Sequence, residues 1–151
     1  MELFACKNNM FPKNIKRLFL LLYLIIGVCA LTEWTGVFLQ RLSFNMRILH
    51  IAVKIIDLSL APSIGVICTM IISKFKTLKF VLILLAVNVV LECASGVFGF
   101  IFYVDVDNIY HRTQYYWIYI FTYTVGAIYF VASAVLSMQK YQYNGGFFPF
   151  V

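Results

Sequence analysis

His50, Lys54 and Asp57 stand at positions i, i+4 and i+7 of one apolar stretch, so a helix carries all three on a single face. Glu33, Asn88 and Glu92 are embedded in two other apolar stretches. An ion surrounded by hydrocarbon is costly, so such residues turn toward one another, a cavity or a pathway. The chemistry open to this set is ion pairing, proton uptake or capture of a small ligand. Asp57 and Glu92, if they meet, could share a proton, which would open proton sensing to them. No catalytic motif is visible, and no cofactor is expected.

Depth sharpens the grouping. Glu33 lies about six residues before the end of its stretch and Lys54 about six after the start of the next; at ~1.5 Å of rise per residue both sit ~9 Å below the same boundary. A Glu33–Lys54 pair between neighbouring antiparallel helices is therefore expected. Asp57 and Glu92 lie deeper, with Asn88 one turn from Glu92, and together they predict a polar pocket in the outer half of a helical bundle. The same contacts could instead fix helix register, a contribution of about 0.6–2 kcal/mol in membranes. Pro62, one turn beyond Asp57, frees a backbone carbonyl and kinks its helix, a defect that Ser59 or Ser63 could patch. It is the candidate hinge.

The elements that must position these groups are four apolar spans, at about 18–39, 48–73, 80–104 and 115–138, since ~20 apolar residues carry a helix across the hydrocarbon core. A basic leader (1–17) precedes them and a short tail (139–151) follows. Short connections predict an up-and-down, all-α, four-helix transmembrane bundle. Lys13, Lys16 and Arg17 ahead of an apolar run suggest a signal peptide, but the run from Leu18 is too long and no small-x-small cleavage site follows, so a retained first span is expected. The chain of 151 residues is 63% hydrophobic and 12% charged, too few ionic groups to build a water-facing surface, so lipid is its main solvent.

Sidedness follows from the basic residues. With a cytoplasmic N-terminus, that side holds Lys7, Lys13, Lys16, Arg17, Lys74, Lys76, Lys79 and Lys140, against Arg41, Arg47 and Arg112 opposite. Eight against three places both termini in the cytoplasm. These charges lie between spans and not along an aromatic-interleaved face, so a nucleic-acid partner is not expected. Trp34, Tyr103, Tyr110, Tyr115, Tyr116 and Trp117 cluster near the outer ends of spans as an interfacial belt. Cys6, Cys29, Cys68 and Cys93 lack metal-site or disulfide spacing, so no metal is expected. Ala94, Ser95, Gly96 and Gly99 form a small-residue stripe suited to close helix packing.

The runs LHIAVKIIDLSLAPSIGVI (Leu49–Ile67), LECASGVFGFIFYVDVDNIYHR (Leu91–Arg112) and YYWIYIFTYTVGAIY (Tyr115–Tyr129) resemble the N-terminal multi-span input region found ahead of GGDEF (diguanylate cyclase) domains in Firmicutes signalling proteins. The His50/Lys54/Asp57/Pro62 motif and the segment Phe102–Asp105 carry the likeness most specifically. The resemblance implies a membrane sensor of the bacterial plasma membrane and names no ligand. The sequence departs from that family in reaching Val151 without a nucleotide-binding domain, and Gly145-Gly146 lacks the acidic pair of the GGDEF signature. The expectation is a non-enzymatic protein that cannot itself make cyclic di-GMP: a truncated product, a fragment, or a stand-alone sensor acting through a homo-oligomer or a signalling partner at the cytoplasmic face. Two other readings stay open, a small oligomeric proton-coupled transporter using Glu33 or Glu92 and a structural membrane subunit.

Overall fold

A computed structural model describes residues 12–42, 44–72 and 78–143. It contains four helical spans long and apolar enough to cross a membrane, in an all-α bundle to which one small sheet is added. Helix α1 covers Lys13–Leu39, α2 Arg47–Leu60, α3 Ser63–Ile72, α4 Leu78–Phe98 and α5 Trp117–Tyr143. Between α4 and α5 lie strands β1 (Phe102–Val104) and β2 (Tyr110–Arg112) and a single 3-10 turn, Gln114–Tyr116. The outward faces are apolar, with Ile48 85%, Val97 80% and Phe98 79% exposed. Surface of that kind needs lipid against it, and the chain is a multi-pass membrane protein.

The second span is the hub. Its first half, α2, packs between α1 and α4, and its second half, α3, packs between α1 and α5. The two halves part at Ala61–Pro62, where the helix is interrupted. Pro62 has no N–H to give the carbonyl of Leu58, four residues earlier. Asn88 of α4 supplies the missing donor: its Nδ2 reaches the Leu58 oxygen at 3.2 Å. Ser63 Oγ covers the Leu60 carbonyl at 2.6 Å, whereas Ser59 Oγ is buried with no partner. Of the two serines expected to mend the break, one does so, and the larger repair comes from another span.

Two apolar clusters flank this break. Leu58, Ile101 and Phe102 are buried together on one side, and Val66 and Val81 on the other. Close backbone approach holds the second: a Cβ added at Gly65 would stand 2.9 Å from the Gly126 carbonyl oxygen. Gly96 of the small-residue stripe is likewise filled by Ile55 and Ile51 of α2.

Span three ends at Phe98, not at Val104, and the apolar segment beyond it is a strand. Gly99 stops the helix at φ +69, a left-handed conformation that glycine adopts without strain, and its N–H bonds the Ser95 carbonyl at 2.7 Å. Ser95 Oγ then accepts the N–H groups of Ile101 (2.9 Å) and Phe102 (3.1 Å), turning the chain back over the bundle. Strand β1 pairs antiparallel with β2, Tyr103 facing His111. Span one starts at Lys13, so Lys13, Lys16 and Arg17 belong to a helix and not to a separate leader. Helix α5 runs on to Tyr143. Cys6, Lys7, Lys74, Lys76 and the tail beyond residue 143 lie outside the described residues, as does the side chain of Lys140.

Asn108 docks the hairpin. Its φ is +62 and it is 1% exposed. Its Oδ1 accepts the Met46 N–H at 2.8 Å, and its Nδ2 donates to the carbonyls of Phe44 (2.9 Å) and Leu42 (3.4 Å). The connection between the first two spans is thereby satisfied by the connection between the last two. Replacing Asn108 by Gly keeps the backbone conformation and loses the side-chain bonds, an expected cost of about 2 kcal/mol in mixed-micelle unfolding. Asn108→Ala should cost about 1 kcal/mol more, because alanine resists the left-handed conformation; equal losses would refute this account of the docking.

Candidate functional site

Under the docked hairpin lies an ionic cluster between α1 and α2. Lys54 is 7% exposed, and its Nζ meets Glu33 Oε2 at 2.6 Å and Asp57 Oδ2 at 3.7 Å. The pair expected from depth therefore forms. Asp57 Oδ1 accepts a bond from Thr32 Oγ1 at 3.2 Å. Gly36 makes the space: a Cβ there would lie 3.1 Å from Lys54 Cε and 3.3 Å from Nζ. Tyr110 of the hairpin closes the top, its ring 5.3 Å from the ammonium, within cation–π range. Burial pushes the Tyr110 phenol above its ordinary range, so it remains neutral over the lysine. Two carboxylates thus face one ammonium. Glu33, with 60% of its side chain exposed, is the member open to the surroundings.

His50 sits one turn above Lys54 and is fully buried. Its Nδ1 lies 2.8 Å from the Asn108 carbonyl oxygen, which can only accept, so Nδ1 carries the hydrogen. Nε2 has no partner and points toward Gly36. Lys54, Asp57 and His50 thus share the α2 face that spacing assigned to them.

Glu92 and Asn88 do not belong to this cluster. Ile51 and Ile55 of α2 face Gly96 of α4. Asp57, two residues beyond Ile55, is rotated by about 200° to the opposite side of α2. It bonds to α1, while Glu92 lies on α4. The expected meeting of Asp57 with Glu92 does not occur, because equal depth does not imply equal azimuth. Glu92 is fully buried, and neither of its carboxylate oxygens has a hydrogen-bond partner. Asn88, 1% exposed, uses its Nδ2 on Leu58 and leaves Oδ1 unpaired.

A cleft of about 260 Å³ opens between α2, the end of α4 and β1, lined by Arg47, Ile51, Ser95, Gly99 and Tyr103 among others. None of the six polar residues singled out from the sequence lines it. Among the described residues there is no group of three metal-ligating side chains, and Cys29, Cys68 and Cys93 are free thiols.

Thr32, Gly36, Asn108 and Tyr110 were not singled out for the site. Thr32 and Gly36 flank Glu33 at helical spacing, a notch legible in retrospect; Asn108 and Tyr110 carried no comparable signal. Tyr110 and Tyr116 are half-buried and face inward, whereas Trp34, Trp117, Tyr103 and Tyr115 are exposed as interfacial anchors would be.

The hairpin carries its own ion pair. Asp105 Oδ2 lies 3.0 Å from His111 Nε2, and its Oδ1 accepts the N–H groups of Ile109 (2.8 Å) and Asp107 (3.0 Å). The His111 bond, then the Ile109 N–H, hold the Asp105 carboxyl below its usual range. A carboxyl depressed in the folded state stabilises above its unfolded value of about 3.9 and loses that contribution as pH falls through the folded value. The hairpin resonances of Tyr103 and His111 should therefore report an intact loop at mildly acid pH and loosening only below about pH 4. Asp105→Asn should remove that acid transition. In the ionic cluster, Lys54→Met leaves two carboxylates facing each other and should cost about 2–3 kcal/mol in micelle unfolding, less than a fully enclosed pair because Glu33 is exposed. Adding Asp57→Asn should recover at least half of the loss.

No family model matches the chain, and neither does any curated protein or solved structure.

Proposed function

We propose that this chain is a non-catalytic sensory input module of a bacterial plasma membrane, of the kind that precedes diguanylate cyclase domains. Both termini are cytoplasmic and the hairpin faces outward, a topology supported by the bias of basic residues toward one side of the spans. The observation that carries the reading is the construction of the second span. Its hairpin-side half holds Lys54 and Asp57 against α1, its other half packs on α5, and the two are separated at Pro62.

A stimulus at the hairpin alters the Asn108–His50 contact and the Tyr110 cover over Lys54. The α2 half re-seats against Glu33, and Pro62 lets α3 follow or lag. The change reaches α5 through the Gly65–Gly126 contact and passes to a cytoplasmic partner or a second copy. Such a device works as a population shift between two packings, so the stimulus must bind one of them more tightly.

A proton-coupled transporter acting as an oligomer is the second reading, favoured by one observation: Glu92 is a buried carboxylate without a basic partner. The two separate cleanly. Fused to a diguanylate cyclase domain, the chain should set cyclic di-GMP output, and Lys54→Met and Pro62→Ala should each shift that output at least about threefold at equal protein level. Output indifferent to both substitutions, together with substrate-dependent proton flux in vesicles, would replace the sensor with the transporter.

A further inference from the structure

Glu92 and Asn88 are buried and Ser59 is half-buried, and among the described residues none hydrogen-bonds to either carboxylate oxygen of Glu92, to Oδ1 of Asn88 or to Oγ of Ser59. The register of α2 against α4 sets all three along one strip of the contact between these helices. Gly96 meets Ile51 and Ile55, and Asn88 meets the Leu58 carbonyl, so the two helices run antiparallel along this contact. One turn beyond Gly96 on α4 is Glu92, and one turn beyond Ile55 on α2, on the same face, is Ser59. The orientation of Asn88 is fixed by chemistry, since only its Nδ2 can bond a carbonyl oxygen.

Lys54 already serves Glu33 and Asp57 on the far side of α2, and among the described residues no basic side chain pairs with Glu92. A protonated Glu92 can donate to Asn88 Oδ1 and accept from the Ser59 hydroxyl. The ionised carboxylate leaves its charge and Asn88 Oδ1 without a partner, and a single cation serves both. The donors are all hard oxygens, and the one formal negative charge matches one positive charge, because a divalent ion would leave an excess charge in a low-dielectric interior. The setting is also suitable, since broken helices in membranes place freed polar groups where small ions bind.

We infer that Glu92, Asn88 and Ser59 form a binding site for a small monovalent alkali cation, sodium in the first instance, at the α2–α4 contact beside the Pro62 break. The site is distinct from the Glu33–Lys54–Asp57 cluster and does not depend on whether the chain signals.

Purified full-length protein in detergent at pH 8, titrated with NaCl while choline chloride keeps the ionic strength constant, tests this directly. The unfolding midpoint should rise saturably with sodium. Glu92→Gln should abolish the rise, and Ser59→Ala should move the half-saturating sodium concentration up about tenfold, as the loss of one ligand implies. Should Glu92→Gln fail to fold, sodium NMR relaxation of the wild-type and Ser59→Ala proteins reads the same site, fast-relaxing bound sodium being expected in the first and weakened in the second. Identical midpoints in sodium and choline, a sodium response that survives Glu92→Gln, or sodium relaxation unchanged by Ser59→Ala would each overturn the assignment.

Discussion

The constraint on which the structure turns is the ammonium of Lys54, almost wholly removed from the surroundings at 7% exposure. A lysine in that position is tolerable only with opposite charge at hand and a dry, shaped enclosure around its stem. Each neighbouring element contributes one part of the enclosure. Helix α1 brings Glu33 and Thr32 and, at Gly36, removes a side chain that would crowd Lys54. Helix α2 adds Asp57 from its own next turn, and the hairpin lays Tyr110 across the top. The mutual arrangement of three elements is thus specified by a single cation, although the energy of the pair itself is modest because one carboxylate remains open.

A second organising demand comes from the backbone. Hydrocarbon offers no hydrogen bonds, so each interruption of a helix needs a substitute partner. At Pro62 that partner is a side chain from α4, and at the end of α4 it is the Ser95 hydroxyl. The non-helical segment 99–116 stays folded because it satisfies itself: Thr113 ties back to the carbonyls of Phe100 and Ile101, and Asp105 closes its own loop. Beside the mutually paired groups around Lys54, polar residues here include those that satisfy exposed backbone groups, such as Ser63 and Asn108, and those whose own needs are unmet, such as Glu92.

The number of spans, the Glu33–Lys54 pair and the break at Pro62 were all legible in the sequence, because each depends on one-dimensional quantities: run length, depth along a helix and the chemistry of proline. The hairpin was not. Ile101–Val104 continues the apolar run of span three without a change of hydropathy, and only Gly99 marked the stop. Nor could the separation of Glu92 from Asp57 be read, since that depends on which face of α2 meets α4. The face is decided by Ile55 packing onto Gly96, a fact of tertiary register. Asn88 was placed in the right neighbourhood for the wrong reason, its amide being spent on the carbonyl that Pro62 leaves bare.

Asn108 also bears on the order in which the protein can be made. Its partners Met46 and His50 precede it by 62 and 58 residues. Lys54 finds Glu33 only 21 residues back, so the first two spans have their charge matched as soon as both have left the ribosome. The bonds from Asn108 to Leu42, Phe44 and Met46 must wait until a third span has entered the bilayer and the chain beyond it has emerged. A nascent protein therefore carries a settled ionic core before its hairpin end is sealed, and any insertase or protease that meets it in that interval meets an open-topped intermediate.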